Sequence, residues 1–349
     1  MSTPSGGPRE RLLALDWLRG IAVLVMVECH VFNALLAPEY RTTSGFSFFN
    51  WLNGFVAPAF LLVSGGVMGL NLEKRWDTGT VKLWRRVGQV FVVGYLLHLP
   101  TPFVWQFFGP RGPHLIELWT KQDILQCVAG SLALILALVP LTRRPELHRV
   151  VCASLGLVAA TSAMAVAKWL QTGVTAPAWL LNYLWPTGVG KFPLVPWAAF
   201  PLIGVWLGPA VFSETSTWRQ SLRAAAAGVM FIVASEFMTS QVSYDAPFVF
   251  ERMGWILIGL AACCWLRAAR RGTKWILEFG QLSLWSYTVH LIIVYGSCAS
   301  FGLDALKPRF GPLVTTACFG TVVFVTALVV RWRAKTLQQR AAVRIMPAK

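Results

Sequence analysis

Charged residues are scarce in this sequence, and acidic ones are scarcer than basic ones. Only 13% of the 349 residues are Asp, Glu, Lys or Arg, whereas 56% are hydrophobic. A chain with so little charge is too apolar for an ordinary soluble domain. The shortage of acidic residues leaves a net charge of +16. That excess alone would also suit a protein that binds nucleic acid, so the positions of the basic residues must decide.

Several sequence motifs that indicate particular classes of enzyme are absent too. The sequence has no nucleotide-phosphate loop, no dinucleotide-binding glycine fingerprint, no Gly-x-Ser-x-Gly and no His-Glu-x-x-His. None of the chemistries that these motifs indicate is therefore predicted. The seven cysteines show no Cys-x-x-Cys pair and no Cys/His ligand spacing, so we expect neither a disulfide framework nor a bound metal. The N-terminus does not resemble a signal peptide, because its first apolar run is full length. Any chemistry must therefore come from histidines and carboxylates in the apolar segments.

What the sequence does contain is a series of apolar runs of about 18 to 24 residues, each close to the roughly 20 residues that a spanning helix needs. The predicted fold class is all-α, a polytopic membrane helix bundle with about ten transmembrane helices. The approximate spans are 18–37, 50–70, 84–100, 122–140, 150–169, 193–212, 222–240, 250–267, 275–298 and 312–331. Prolines at the start of the sixth run, with Gly204 and Gly208 within it, predict a broken and closely packed span.

Most lysines and arginines lie in alternate connecting segments, and the loop 71–86 is the most basic of these. By the positive-inside rule, this pattern predicts that both termini are cytoplasmic and that the protein is a multi-pass protein of the cell (inner) membrane. The basic excess then reflects topology and contact with anionic lipid rather than nucleic acid. We predict a disordered tail at 1–10, a single transmembrane domain at 11–332 and a basic cytoplasmic tail at 333–349.

The first span carries the leading candidates for a functional site. Arg19 and His30 are eleven positions apart, about 20° out of register and separated by roughly 16 Å along a helix, so they share one face with Asp16. Ionisable groups in such a run are costly and suggest function. The alternative is a buried histidine that only bonds a neighbouring helix. Glu28 lies about 160° around the helix from His30 and cannot orient it directly.

Other candidates lie further along the chain. Asp123 and Gln126 open the fourth span on one face, although Asp123 could equally be a helix N-terminal carboxylate favoured by the helix dipole. His290 belongs to a polar stripe in the ninth span that also includes Ser283, Ser286 and Tyr287. Arg85 and Arg86, in the basic loop, could bind lipid headgroups or a soluble polyanion such as a nucleotide cofactor.

These residues resemble a known family. The run from Leu15 through Asp16 and Arg19 to His30 resembles the first helix of the transmembrane acyltransferase superfamily, to which the acyltransferase-3 branch belongs. Further stretches resemble the catalytic domain of bacterial relatives of heparan-alpha-glucosaminide N-acetyltransferase, and together the matches cover about residues 9–330. These stretches are 55–65, 123–126, 196–208 and, more weakly, 283–290.

The resemblance implies an acyl-CoA-dependent acyltransferase. Acyl-CoA, most simply acetyl-CoA, would bind from the cytoplasm, and the acyl group would reach a sugar amine or hydroxyl of a glycan or glycolipid at the outer side. Donor-binding candidates are Arg19, Asp16, Arg85 and Arg86, and catalytic candidates are His30, Asp123 and His290. The family's catalytic histidine in the outer loop after the first helix has no counterpart in 37–49, so no loop residue is carried over.

Two other classes of function stay open at this point. One is a proton-coupled secondary transporter using Glu28, His30 and Glu236, although we find no inverted repeat of the kind that many transporters show. The other is a membrane scaffold without chemistry. A homodimer is also possible.

Overall fold

The computed structural model describes residues 13–76, 78–174, 176–184, 191–213, 216–239, 245–266 and 273–345. Over these ranges the chain forms α-helices joined by loops and short 3-10 turns, and contains no strand, which confirms the all-α membrane class. The predicted tail at 1–10 and the last residues of the tail at 333–349 lie outside the described residues. The helices are α1 (Leu13–Leu35), α2 (Ser44–Asn53), α3 (Val56–Arg75), α4 (Val81–Leu97), α5 (Gly112–Trp119), α6 (Ile124–Ala137), α7 (Val139–Thr142), α8 (Pro145–Thr161), α9 (Ala163–Gln171), α10 (Ala178–Leu184), α11 (Leu194–Trp197), α12 (Ala199–Leu207), α13 (Thr217–Thr239), α14 (Asp245–Trp265), α15 (Lys274–Gln281), α16 (Ser283–Tyr295) and α17 (Pro312–Ile345).

Seven helical segments in the described part of the chain are long and apolar enough to cross a membrane. An eighth is formed if α8 and α9, which meet at a bend of 58°, act as one broken span. The predicted spans 84–100 and 275–298 correspond to shorter helices, α4 and the pair α15 and α16. Ten spans and the cytoplasmic position of the termini stay predictions. The seven segments are Leu13–Leu35, Ser44–Arg75, Ile124–Thr142, Leu194–Phe212, Thr217–Met238, Asp245–Trp265 and Pro312–Arg340.

The chain divides into two compact units. Among the described residues, unit 1 comprises those of Ala57–Trp265, and unit 2 comprises Leu13–Val56 and those of 266–345. In unit 1 the helices α4 and α6 pack together, α8 packs on α12, and α13 pairs with α14. In unit 2 the first helix, α1, packs against α15, α16 and α17.

Small residues let the helices α3 and α12 of unit 1 approach backbone to backbone. A Cβ added at Gly204 would lie 2.5 Å from the Leu62 carbonyl oxygen, and one added at Gly69 would lie 2.6 Å from that of Val205. Gly65, Gly66 and Gly208 meet their neighbours more closely still. Apolar burial drives little association inside lipid, so this close van der Waals contact holds such pairs together. At the start of this span the backbone of Val195, just before Pro196, leaves the helical range, so the sixth span is broken at its prolines and closely packed, as predicted. Beyond α12 the residues Gly208–Phe212 form a π-helical turn.

In unit 2 the C-terminal end of α1 is capped from the following loop. The Arg41 guanidinium donates to the Asn33 carbonyl oxygen at 2.9 Å and to that of Leu36 at 3.0 and 3.2 Å. The backbone amides of Arg309 and Phe310 both donate to the Leu35 carbonyl oxygen at 3.0 Å. These contacts satisfy carbonyl groups that have no partner inside the helix, so the end of α1 is held in a defined position.

Candidate functional site

Two histidines and a tyrosine meet in unit 2. His30 lies on α1, and its ring centroid is 5.4 Å from that of His290 on α16, with the planes tilted by 34°. The Nδ1 atom of His30 is 3.0 Å from the Tyr295 hydroxyl oxygen, and the two rings meet edge to face. The structure therefore brings together two of the predicted catalytic residues, although they are 260 positions apart in the chain.

The hydrogen bonds of His290 define which of its nitrogens carries a proton. Its Nδ1 lies 2.7 Å from the backbone carbonyl oxygen of Ser286. Because a carbonyl oxygen only accepts, Nδ1 must donate, and Nε2 of the neutral ring keeps its lone pair. The side chain is fully buried, and Nε2 has no hydrogen-bond partner among the described residues. His290 thus presents a buried acceptor within the cluster.

The two acidic candidates on α1 have different surroundings. Asp16 pairs with Arg19 one turn further on, and also bonds the side chain of Gln281 at the end of α15. Arg19 is part-buried, and its buried Nε has no hydrogen-bond partner in the described part of the chain. Glu28 is only 7% exposed and lies beside Asn53 of α2. Glu28 thus lies next to α2, whereas Asp16 lies next to α15.

Asp123 lies in unit 1, where both of its carboxylate oxygens have partners. Oδ1 accepts from the Ile124 amide at 2.7 Å and caps α6, while Oδ2 is 3.1 Å from Nε2 of His98. The other ring nitrogen of His98 is 2.9 Å from the Gly94 carbonyl oxygen. Burial by itself would lower the pKa of His98, but its bonds to Asp123 and to Gly94 outweigh this effect and raise it. The helix-capping alternative for Asp123 is therefore realised in the structure.

Arg85 and Arg86, also in unit 1, are exposed near the start of α4. Trp84 beside them is 42% exposed, and tryptophan is typical of the interface between membrane and water. An exposed arginine is a common partner of anions, whether these are lipid headgroups or the phosphates of a soluble ligand.

The comparison with known families decides between the classes of function considered above. The family described as heparan-alpha-glucosaminide N-acetyltransferase, catalytic, matches residues 11–240. The chain belongs to this family. A search of curated proteins found no match.

Membership of the family implies an acetyltransferase, and the apolar helices make the chain a multi-pass membrane protein. The family uses acetyl-CoA as the acetyl donor. Nothing in the comparison supports the transporter alternative, and the link to the acyltransferase-3 branch stays a prediction. No group of three or more potential metal ligands occurs within the described ranges.

The family match covers six of the predicted site residues, Asp16, Arg19, His30, Arg85, Arg86 and Asp123, and ends before His290. Two residues of the observed clusters were not predicted. His98 is not among the sequence candidates, because its pairing with Asp123 arises only from the packing of α4 on α6. Tyr295 is the other, and the one signal for it in the sequence is its position five residues after His290, at the end of the same helix.

Proposed function

We propose that this membrane acetyltransferase moves the acetyl group of acetyl-CoA to an amine or hydroxyl of a sugar acceptor, with His30 as the general base. The observation that carries the proposal is the contact of His30 with His290 and Tyr295 in a chain of this family. An imidazole is suited to this task because its ordinary pKa lies near physiological pH.

The proposed step requires one proton transfer from the acceptor. As the amine or hydroxyl attacks the thioester carbonyl carbon, Nε2 of His30 takes its proton, in the tautomer whose Nδ1–H donates to the Tyr295 hydroxyl oxygen. The C–S bond then breaks, and the CoA sulfur leaves and is protonated by the His30 imidazolium. A variant of this route, in which His30 first carries the acetyl group, uses the same nitrogen as nucleophile. His290 supplies a buried acceptor beside the ring that becomes charged.

For the donor, we propose that Arg19, held by Asp16, binds a phosphate or positions the thioester. Arg85 and Arg86 are further candidates for the phosphates of CoA. The basic loops and both termini would then face the cytoplasm of a cell whose inner membrane holds the protein, and the glycan or glycolipid acceptor would approach from the other side. Asp123 has the supporting role of holding His98 and the start of α6.

The test is acetyl transfer by the purified full-length protein in lipid. Radiolabelled acetyl-CoA and glucosamine are supplied, and the acetylated sugar is measured by mass spectrometry. We expect His30→Ala to reduce transfer by at least a hundredfold, in the range typical for a general base. His114→Ala is the matched control, because His114 is a largely exposed histidine on α5, and it should leave transfer unchanged. Full transfer by folded His30→Ala protein would refute the assignment.

A second measurement addresses Arg19. If this guanidinium binds the donor, Arg19→Ala raises the KM for acetyl-CoA and leaves the KM for the sugar nearly unchanged. An equal increase in both values would argue against a donor-specific role.

A further inference from the structure

A second buried polar cluster lies in unit 1, where α4 ends and α6 begins. Its central members are Gln122 and Gln126, which are both fully buried. None of their amide nitrogen or oxygen atoms forms a well-aligned hydrogen bond within the described residues, although Gln122 lies beside the Tyr183 hydroxyl. Natural proteins rarely leave such groups without partners.

A glycine shapes the space around Gln126. A Cβ added at Gly94 on α4 would lie 3.3 Å from both Cδ and Oε1 of Gln126. The amide therefore lies against the α4 backbone, with no side chain from that position over it. The next residue of α4, Tyr95, is only part-buried, so the cluster continues toward the surface of the unit.

The walls of the cluster are aromatic and polar but contain little unpaired charge. The hydroxyl oxygens of Tyr95 and Tyr183 are 2.8 Å apart. The Trp119 indole donates to the Tyr95 carbonyl oxygen at 3.0 Å and meets the tyrosine ring edge to face. His98 and Asp123 pair with each other across 3.1 Å. The groups left for a ligand are thus neutral donors and acceptors rather than charges.

We propose that this cluster binds an uncharged substrate group that both donates and accepts hydrogen bonds, which means an amide or a hydroxyl. Glutamine side chains match such groups because each offers two N–H donors and one carbonyl acceptor. Small-molecule sites commonly combine an apolar and aromatic lining with a few placed polar groups. Polar side chains buried within membrane spans are functional by default.

Two parts of the substrates carry this chemistry, and the inference rests on the proposed function for that choice. The pantetheine arm of the donor presents two amides and a hydroxyl. The sugar acceptor presents several hydroxyls. Purified full-length protein in lipid is therefore titrated with pantetheine in one arm and with glucosamine in the other, and tryptophan fluorescence reports binding.

The diagnostic variant is Gln126→Leu, which keeps the volume of the side chain and removes its amide. We expect binding of one of the two probes to weaken roughly tenfold, since the bonds of one amide are lost. The melting temperature should stay equal or rise, because an amide without partners is replaced by an apolar group. A purely structural glutamine would instead lower the melting temperature and leave binding unchanged. Ser131→Ala, on the same helix but outside the cluster, is the matched control.

Each outcome has a definite meaning. Weaker pantetheine binding assigns the cluster to the donor arm, and weaker glucosamine binding assigns it to the acceptor. Unchanged binding of both probes by folded Gln126→Leu overturns the inference and leaves a cluster that holds only water. If that variant does not fold, Gln122→Leu gives the same readings. If the wild-type protein binds both probes and transfers acetyl groups, and the glutamine variants do the same, then the proposed binding site is refuted and the proposed enzyme activity stands.

Discussion

The sharpest structural prediction concerns the contact between α1 and α15 in unit 2. Gly280 lies on α15 with no side chain between it and the α1 backbone. A Cβ added there would overlap the Asp16 carbonyl oxygen and lie 2.7 Å from its carbonyl carbon and 3.0 Å from its Cα. Carbon atoms in ordinary contact are about 3.5–4.0 Å apart. Gly280→Ala therefore requires the helices to separate by about 1 Å.

The loss of stability in Gly280→Ala depends on how far the α1 backbone can yield. Overpacking a well-packed contact costs about 1–3 kcal/mol, and here the obstacle is backbone that cannot rotate away. Replacing a helical glycine by alanine returns about 0.5–1 kcal/mol. The net loss is about 1–2 kcal/mol, which corresponds to a fall in melting temperature of about 2–6 °C. Because Asp16 holds Arg19, the KM for acetyl-CoA should rise with little change in kcat.

The assay is thermal unfolding of the purified protein in detergent, followed by donor kinetics. Gly320→Ala is the matched control, since Gly320 lies on α17 of the same unit and an added Cβ meets nothing within 4 Å. That variant should be as stable as the wild type or slightly more stable. A Gly280→Ala protein with an unchanged melting temperature and donor KM would refute the reasoning, because the close approach of α1 and α15 could not then exist.

Three further predictions concern other contacts. Tyr295→Phe removes the hydroxyl that bonds His30 and should lower kcat up to about tenfold, the equivalent of one hydrogen bond, with little change in either KM; a shift in the pH profile of kcat separates this orienting role from a general loss of structure. His98→Asn should remove a pH dependence of stability. Burial lowers the pKa of His98, but its bonds to Asp123 and Gly94 outweigh this and raise it in the folded protein. The stabilising contribution of His98 is therefore complete below about pH 6.5 and is lost as the pH rises through the folded pKa. If the melting temperatures of variant and wild type changed with pH in parallel across this range, the His98–Asp123 pair would not contribute to stability. Arg41→Gln removes bonds that cap α1 and should lower stability by about 1–2 kcal/mol, whereas an unchanged melting temperature would show that the cap is dispensable.

The membrane class could be predicted because it depends only on the length and composition of the apolar runs. The ends of the individual helices were harder to predict. The predicted span 50–70 lies within the longer apolar segment Ser44–Arg75, which contains a short turn between the end of α2 at Asn53 and the start of α3 at Val56. The predicted span 275–298 is likewise divided at Leu282, whose backbone leaves the helical range. Hydropathy averages over such breaks, because the residues on both sides are equally apolar.

Contacts within the candidate site depend on how the helices pack. The periodicity of residues along a single helix does not show which residues of other helices lie close. The stripe of α16 pointed to His290, but its proximity to His30 arises only when α1 packs on α16. Asp123 shows the opposite case. Its local role as the cap of α6 follows from sequence position, whereas its pairing with His98 requires the packing of α4 on α6.

The close backbone contact between α3 and α12, at Gly65, Gly66, Gly69 and Gly204, also limits how unit 1 can move. Where two backbones touch without intervening side chains, no rotamer change is available to let one helix slide past the other. The two therefore travel as one rigid body, which includes the π-helical turn Gly208–Phe212 because Gly208 and Phe212 both lie against Gly66 of α3. Any rearrangement during turnover must occur outside this contact. Spin labels at Lys74 and Trp206, which are exposed on the two helices, would keep a constant separation throughout the reaction cycle and provide an internal ruler for motion elsewhere.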